Sequence, residues 1–414
     1  MRKRNAVRAA AAALAATMVL TACGGGGGNE TTAAAGGDTG STAAGGDAAA
    51  SGSGEVGKTD ITVAMGADIV TLDPAGQQDT TTAVVIKHAY STLLDISDEG
   101  ELVPDLAESY ELVNDTDFVF KLREDAVWSD GTPVTANDVK FTFDRAKNMP
   151  KTKSNTSKVK EVVVDNEHQV TIKLIEPYAP FNTIVASSNL SIVQEAAVTA
   201  AGEAYGDADN IVTSGPFTVK EWVPNDHYTL EKNANYWGEE PITTSITVRV
   251  IPEGSARAIA LETGEVDLVW NVDPTDCSNI EANSDVKLLS QPSSSIEYLG
   301  MNVTKEHFKD QKVRQAINYA IDKQALVDTI VEGRGTVANS YINNTIPGWT
   351  DEVEAYPYDP AKAKELLTEA GYPDGFSCQL WVNGDVRTRS AQMVQAQLAE
   401  IGITVDISTM EWGA

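Results

Sequence analysis

The side chains that do chemistry are sparse in this chain and poorly arranged for catalysis. Four histidines, His88, His168, His227 and His307, are scattered, without the short spacings that put two imidazoles on one metal. No metal and no cofactor is expected. From residue 55 onward there is no Gly-x-Ser-x-Gly to present a nucleophilic serine. There is also no glycine-rich loop ending in Lys-Ser/Thr to hold phosphate, and no His-Glu-x-x-His. Sixty Asp and Glu residues guarantee chance carboxylate pairs, so a glycosidase-type dyad has raw material but no pattern that singles one out. Cys277 and Cys378 leave two readings open, a bond formed outside the cytoplasm or two free buried thiols.

The third cysteine has a context. Arg2, Lys3, Arg4 and Arg8 precede an apolar run of twelve residues over 9–20, and Leu20-Thr21-Ala22 leads directly into Cys23-Gly24. The run is shorter than the roughly 18 residues of a membrane-spanning helix and reads as the apolar region of a secretory signal. Small residues before a cysteine at that point resemble the lipobox of bacterial lipoproteins. The resemblance implies cleavage before Cys23, acylation of its thiol, and a protein held at a membrane face outside the cytoplasm. Residues 24–54 consist almost wholly of Gly, Ala, Ser, Thr, Asp, Asn and Glu. Such a segment buries too little apolar surface to offset its ordering entropy and reads as a tether.

The fold must come from the chain beyond the tether. The 414-residue chain has 31 Lys and Arg against 60 Asp and Glu, a formal charge of -29. That sign repels nucleic acid and anionic headgroups. With 42% apolar and 22% charged residues, the body is globular. Alternation predicts strands at 61–65, 118–122, 170–174, 246–250, 266–270 and 403–407. Trp128-Ser129-Asp130-Gly131-Thr132-Pro133 is a turn, and Thr135 with Asp138 caps a helix whose Val139, Phe143 and Ala146 share a face. A short helix is expected over 256–261 and one long helix over 311–331, whose apolar spacing has a single gap between Ile321 and Val327. Asp359-Pro360 starts a further helix that Gly371 ends, and another runs over 390–400. Helix then strand, twice over, argues α/β lobes.

Several stretches, in order, resemble the extracytoplasmic solute-binding proteins of family 5, the peptide- and nickel-type receptors of ABC importers. They begin with Leu102-Val103-Pro104-Asp105-Leu106-Ala107-Glu108-Ser109-Tyr110, then Lys121-Leu122-Arg123 and the Trp128–Ala136 turn. Next come Ser214-Gly215-Pro216-Phe217, Lys220-Glu221-Trp222, Tyr236-Trp237, Ile251-Pro252 and Gly264-Glu265-Val266-Asp267. Asn302, Val313-Arg314-Gln315-Ala316-Ile317-Asn318, residues 361–372 and Glu411-Trp412 complete the set, which spans about 58–414.

The resemblance implies a two-lobed α/β fold of the type II periplasmic-binding-protein kind, in its large subclass with a subdomain inserted in lobe I. By that likeness lobe I is about 58–90 and 195–293, the inserted subdomain about 91–194, and lobe II about 294–414. Family chains continue further, so the likeness implies a C-terminal truncation, an incomplete lobe II, and the loss of the family's usual acidic residue for a peptide amino terminus. The implied activity is non-catalytic: a monomeric, lipid-anchored receptor captures a peptide and delivers it to membrane permease subunits driven by cytoplasmic ATPase subunits. Nickel chelates, opines and oligosaccharides are alternative ligands, and a secreted lipoprotein hydrolase is the alternative of a different class. Carried over by position, Gln78 and Thr80 lie in a loop that faces the cleft, and Trp270 and Asn271 end a strand pointing into it. Tyr298 lies near the crossover between lobes. Asn383 and Arg387 occupy the loop before the 390–400 helix, where Arg387 is a forked donor for a ligand carboxylate. Each also has an ordinary reading: Trp270 as core, Arg387 as a solvated or capping residue, Gln78 as a loop residue. Dipeptide-type receptors place an arginine where Trp381 stands, so the likeness favours oligopeptides over strict dipeptides.

Overall fold

A computed structural model describes residues 57–98, 100–346 and 348–410. The signal, Cys23, the tether and Glu411-Trp412 lie outside the described residues.

The first sheet forms around Asp60–Met65, whose alternating apolar residues pair in parallel with Ser245–Val250 on one side and Leu268–Val269 on the other. The strands His227–Lys232 and Phe217–Val223 extend it antiparallel. One face is covered by the helix Thr80–Ala89, which buries Val85, Ile86 and Ala89 against Leu72, Phe217, Tyr228, Leu230 and Val248. The helix Gly254–Glu262 contributes Ala260 to a smaller cluster with Ala64 and Val266. Two separate apolar clusters suit parallel strands, whose apolar residues need cover on both faces.

A second core gathers Leu93 to Ile192 around an antiparallel sheet ordered Ala107–Leu112, Asp117–Leu122, Gln169–Leu174, Val159–Asn166. The helix Ala136–Ala146 lays Val139, Phe143 and Ala146 on it, as their spacing predicts, and the Asp138 carboxylate accepts from both the Thr135 N–H and its hydroxyl at 3.0 Å. Trp128 is fully buried here, and the turn after it closes through Gly131 at φ +85°, a region glycine enters without penalty. Arg145 in that helix holds Asp73 through two parallel bonds of 2.8 and 2.6 Å and lies over the Tyr205 ring. This buried fork ties the second core to the loop before Gln78.

The third core is a strand–helix–strand unit. Ser377–Val382 and Thr404–Thr409 pair in parallel around Asp385–Glu400, with Gln311–Ala320 and Pro360–Glu369 packed alongside. Three boundaries differ from the sequence expectation. The expected 311–331 helix is two helices, Gln311–Ala320 and Lys323–Ile330, because Asp322 leaves helical geometry and its carboxylate caps the second at Ala325 N–H, 2.9 Å. The gap at 321–327 marks that break. The last helix starts at Asp385, not 390, since Gly384 at φ +74° turns the chain soon after the strand. Arg387 therefore stands in a helical first turn, not in a loop. The expected 266–270 strand shrinks to Leu268–Val269: Val266 N–H bonds back to Ala260 of the preceding helix, and Asn271 at φ +60° ends the extended run. Cys277 is buried and Cys378 partly so, and both are free thiols.

Candidate functional site

The parallel strands of the first sheet end at Met65, Val250 and Val269. Ligands in open α/β sheets sit outside such carboxyl ends, so the residues just beyond each strand are the ones to trace. Arg257 gathers them. Its Nη1 donates to the Ile251 and Pro252 carbonyls at 2.8 and 2.7 Å, and Nη2 donates to the Asn271 carbonyl at 3.1 Å. Gly66 lies flush against the guanidinium, leaving only 2.9 Å between an added Cβ and Nη1. Arg257 is 8% exposed and its Nε finds no acceptor. Among the described residues no carboxylate pairs with it, and burial pulls it below the usual arginine range against the attraction of Asp273, Asp276 and Asp385. The fastening fixes Asn271 in the left-handed conformation, one that asparagine tolerates better than most residues, and leaves Trp270 half-exposed beside it.

Two residues on, Asp273 caps the helix Pro274–Ala282 at Thr275 N–H, 3.1 Å. It also receives Arg389 Nη2 at 2.8 and 3.1 Å. Burial pushes its carboxyl up, but the Thr275 and Arg389 bonds prevail and hold it below the usual carboxylate range. Arg389 belongs to the helix Asp385–Glu400 of the third core. The bridge therefore brings the end of the first sheet up to the start of that helix.

On the far side the strand Ser377–Val382 gives way to Asn383. Arg387, one turn later, donates Nη1 to Asn383 Oδ1 at 3.0 Å and Nε to both Glu297 oxygens at 3.0 and 3.2 Å. Tyr298, beside Glu297, is exposed and meets Tyr341 edge-on with ring centres 6.0 Å apart. Strand ends from two separate cores thus converge, and the residues there are exposed or half-exposed aromatics, amides, the Glu297 and Asp273 carboxylates and the cations Arg387 and Arg389. That set offers hydrogen-bond donors, acceptors and aromatic faces to a polar solute. No group of three His, Cys, Asp or Glu among the described residues is arranged for a metal.

Asn383 and Arg387 touch directly. Tyr298 follows Glu297, the partner of Arg387, and Trp270 and Asn271 stand shortly before Asp273, the partner of Arg389. Gln78 donates to the Lys151 carbonyl, and Thr80 stands not in a loop but at the start of the Thr80–Ala89 helix with its side chain exposed. No hydrogen bond or ion pair among the described residues joins either to the Arg387 group. A hollow of about 640 Å³ bounded by Trp128, Asp130, Pro133, Asp138, Gln194 and Glu195 contains none of the predicted residues. Sequence reading passed over Arg257, Asp273, Glu297 and Arg389. Asp273-Pro274 has the same helix-start signature as Asp359-Pro360, and Arg257 is a charge inside an apolar helical run.

Residues 101–414 match the family described as "Bacterial extracellular solute-binding proteins, family 5 Middle". Glutathione-binding protein GsiB of Escherichia coli (strain K12) is 34% identical over 361 residues, covering 86% of this chain and 70% of that protein. Two solved structures share the fold. DppA from Helicobacter pylori in complex with peptide STSA superposes with a TM-score of 0.81 at 29% identity, covering 86% of this chain and 74% of that one. MoaA from A.tumefacien R10 in complex with mannopinic acid gives 0.78 at 27%, with the same coverage. The fold is the α/β, type II periplasmic-binding-protein fold that the motifs imply. With its converging strand ends and a family match over residues 101–414, the chain belongs to the bacterial extracellular solute-binding proteins of family 5.

Proposed function

We propose that the protein is the peptide-capturing receptor of an ABC importer, and that it releases its ligand unaltered to a membrane permease. The observation that carries this reading is the meeting of two sets of strand ends at the Asp273–Arg389 bridge, with Arg387 and exposed aromatics nearby. Ligands named for the relatives, glutathione, the peptide STSA and mannopinic acid, are all amino-acid-derived carboxylates. The three cores support the expected division: one draws on residues 65–90 and 193–248, another on 93–192, the third on 313–405. In this reading Trp270 and Asn271 contact ligand from lobe I, and Tyr298, Asn383 and Arg387 from lobe II. Gln78 and Thr80 reach it on the side of the inserted subdomain. Ligand contacts made only with the lobes together supply the differential affinity that shifts open toward closed. Side-chain variety is accommodated through bridging water. The Cys23 lipid holds the receptor at the membrane.

MoaA's mannopinic acid favours an opine as the second reading. Native mass spectrometry of the full-length protein with glutathione, tetrapeptides and mannopinic acid separates the readings. Intact one-to-one peptide adducts are expected, with a thermal shift equivalent to about 2.7 kcal/mol at a hundredfold excess over Kd. Retention of mannopinic acid alone would favour the opine, and cleaved peptides would favour a hydrolase.

A further inference from the structure

Arg387 meets a carboxylate of its own chain. Glu297 offers both oxygens to Nε, and Asn383 Oδ1 takes Nη1. The contact spans 90 residues of sequence and joins the segment that enters the third core to the helix after its first strand. Both side chains are largely exposed, Arg387 at 46% and Glu297 at 61%, so the pair is weak and exchangeable. Its place is the point where strand ends from two cores meet, next to Tyr298 and Tyr341.

We propose that Glu297 is a built-in competitor for a ligand's carboxylate at Arg387: a carboxylate ligand engages the guanidinium at the expense of the Glu297 contact, and Glu297 thereby moderates its affinity. The inference rests on the peptide-receptor reading and adds a specificity-determining residue to it. An arginine fork reads a carboxylate by geometry. Glu297 takes the Nε donor of that group, and a ligand lacking a carboxylate has nothing to exchange and leaves the Glu297 contact in place. A carboxylate ligand replaces the lost Glu297 contact in kind, and its remaining contacts decide the affinity. Because only a carboxylate ligand gives up the Glu297 contact, Glu297 narrows the difference in affinity between carboxylate ligands and others.

The test is isothermal titration of wild type, Glu297→Gln and Glu297→Ala with a tetrapeptide bearing a free C-terminus and with its C-terminal amide. Removing the internal competitor should tighten the free-acid peptide severalfold, up to about fivefold for an exposed pair, and leave the amide nearly unchanged. In an Arg387→Met background the Glu297→Gln effect on the free acid should vanish. Weaker binding of the free acid by Glu297→Gln would show instead that Glu297 contacts ligand, for example its ammonium, and would overturn the proposal. Equal gains or no change for acid and amide would overturn it too, while leaving the peptide-receptor reading intact. Absence of binding by every variant to either peptide would remove the receptor reading and this one together.

Discussion

At the scale of single residues, Asp105 carries the clearest electrostatic consequence. It lies in the Leu102–Tyr110 stretch, accepts from Thr92 N–H at 2.7 Å, and has Asp95 nearby, itself paired with Lys87. Burial, with a smaller push from Asp95, raises its carboxyl from 3.8 to about 7 against the bonds from Thr92 and Ser91. The folded state therefore holds the proton more tightly than the unfolded chain. Its contribution to stability is complete below about pH 4 and lost as pH climbs through 7. Melting of wild type and Asp105→Asn between pH 4 and 8 should show wild type losing ground to the variant across that window. A constant gap would contradict the assignment. The candidate site was partly legible at this scale. Asn383 and Arg387, close in sequence, came from motif position. Arg389 and Asp273 are 116 residues apart, and Arg387 and Glu297 90, and no local pattern encodes a partner at that distance. Arg257 escaped because its bonds go to backbone carbonyls, which every residue has.

At the scale of elements, side chains that satisfy the first free N–H groups decided the boundaries. Thr135–Asp138 and Asp359-Pro360 were readable because cap and periodicity agree. The 311–331 stretch read as one helix because apolar spacing nearly continues through Asp322, yet the cap chose two. Asp322→Ala should thus cost about 1 kcal/mol, read as a lower urea midpoint with unchanged m-value. No loss, or a gain, would mean that the break owes nothing to the cap. The Leu268–Val269 strand is short for a tertiary reason: Arg257 binds the Asn271 carbonyl in a left-handed turn, and alternation alone carries no sign of that.

At the scale of the whole molecule, charge and composition argued against nucleic acid, and the ordered motifs brought the family within reach before any coordinates did. No helix among the described residues is long and apolar enough to cross a membrane. In the proposed reading Cys23 carries the membrane attachment. Cys23→Ser should release the protein into the medium, as scored by immunoblot of fractionated cells, whereas unchanged membrane retention would place the anchor elsewhere. Receptor function of the proposed kind turns on closure. Small-angle X-ray scattering of the full-length protein, titrated with a tetrapeptide of free C-terminus to saturation, probes closure itself. The radius of gyration should fall in step with the binding isotherm as the two sets of strand ends draw together on the ligand. An isotherm that saturates while the radius stays fixed would rule out capture by closure.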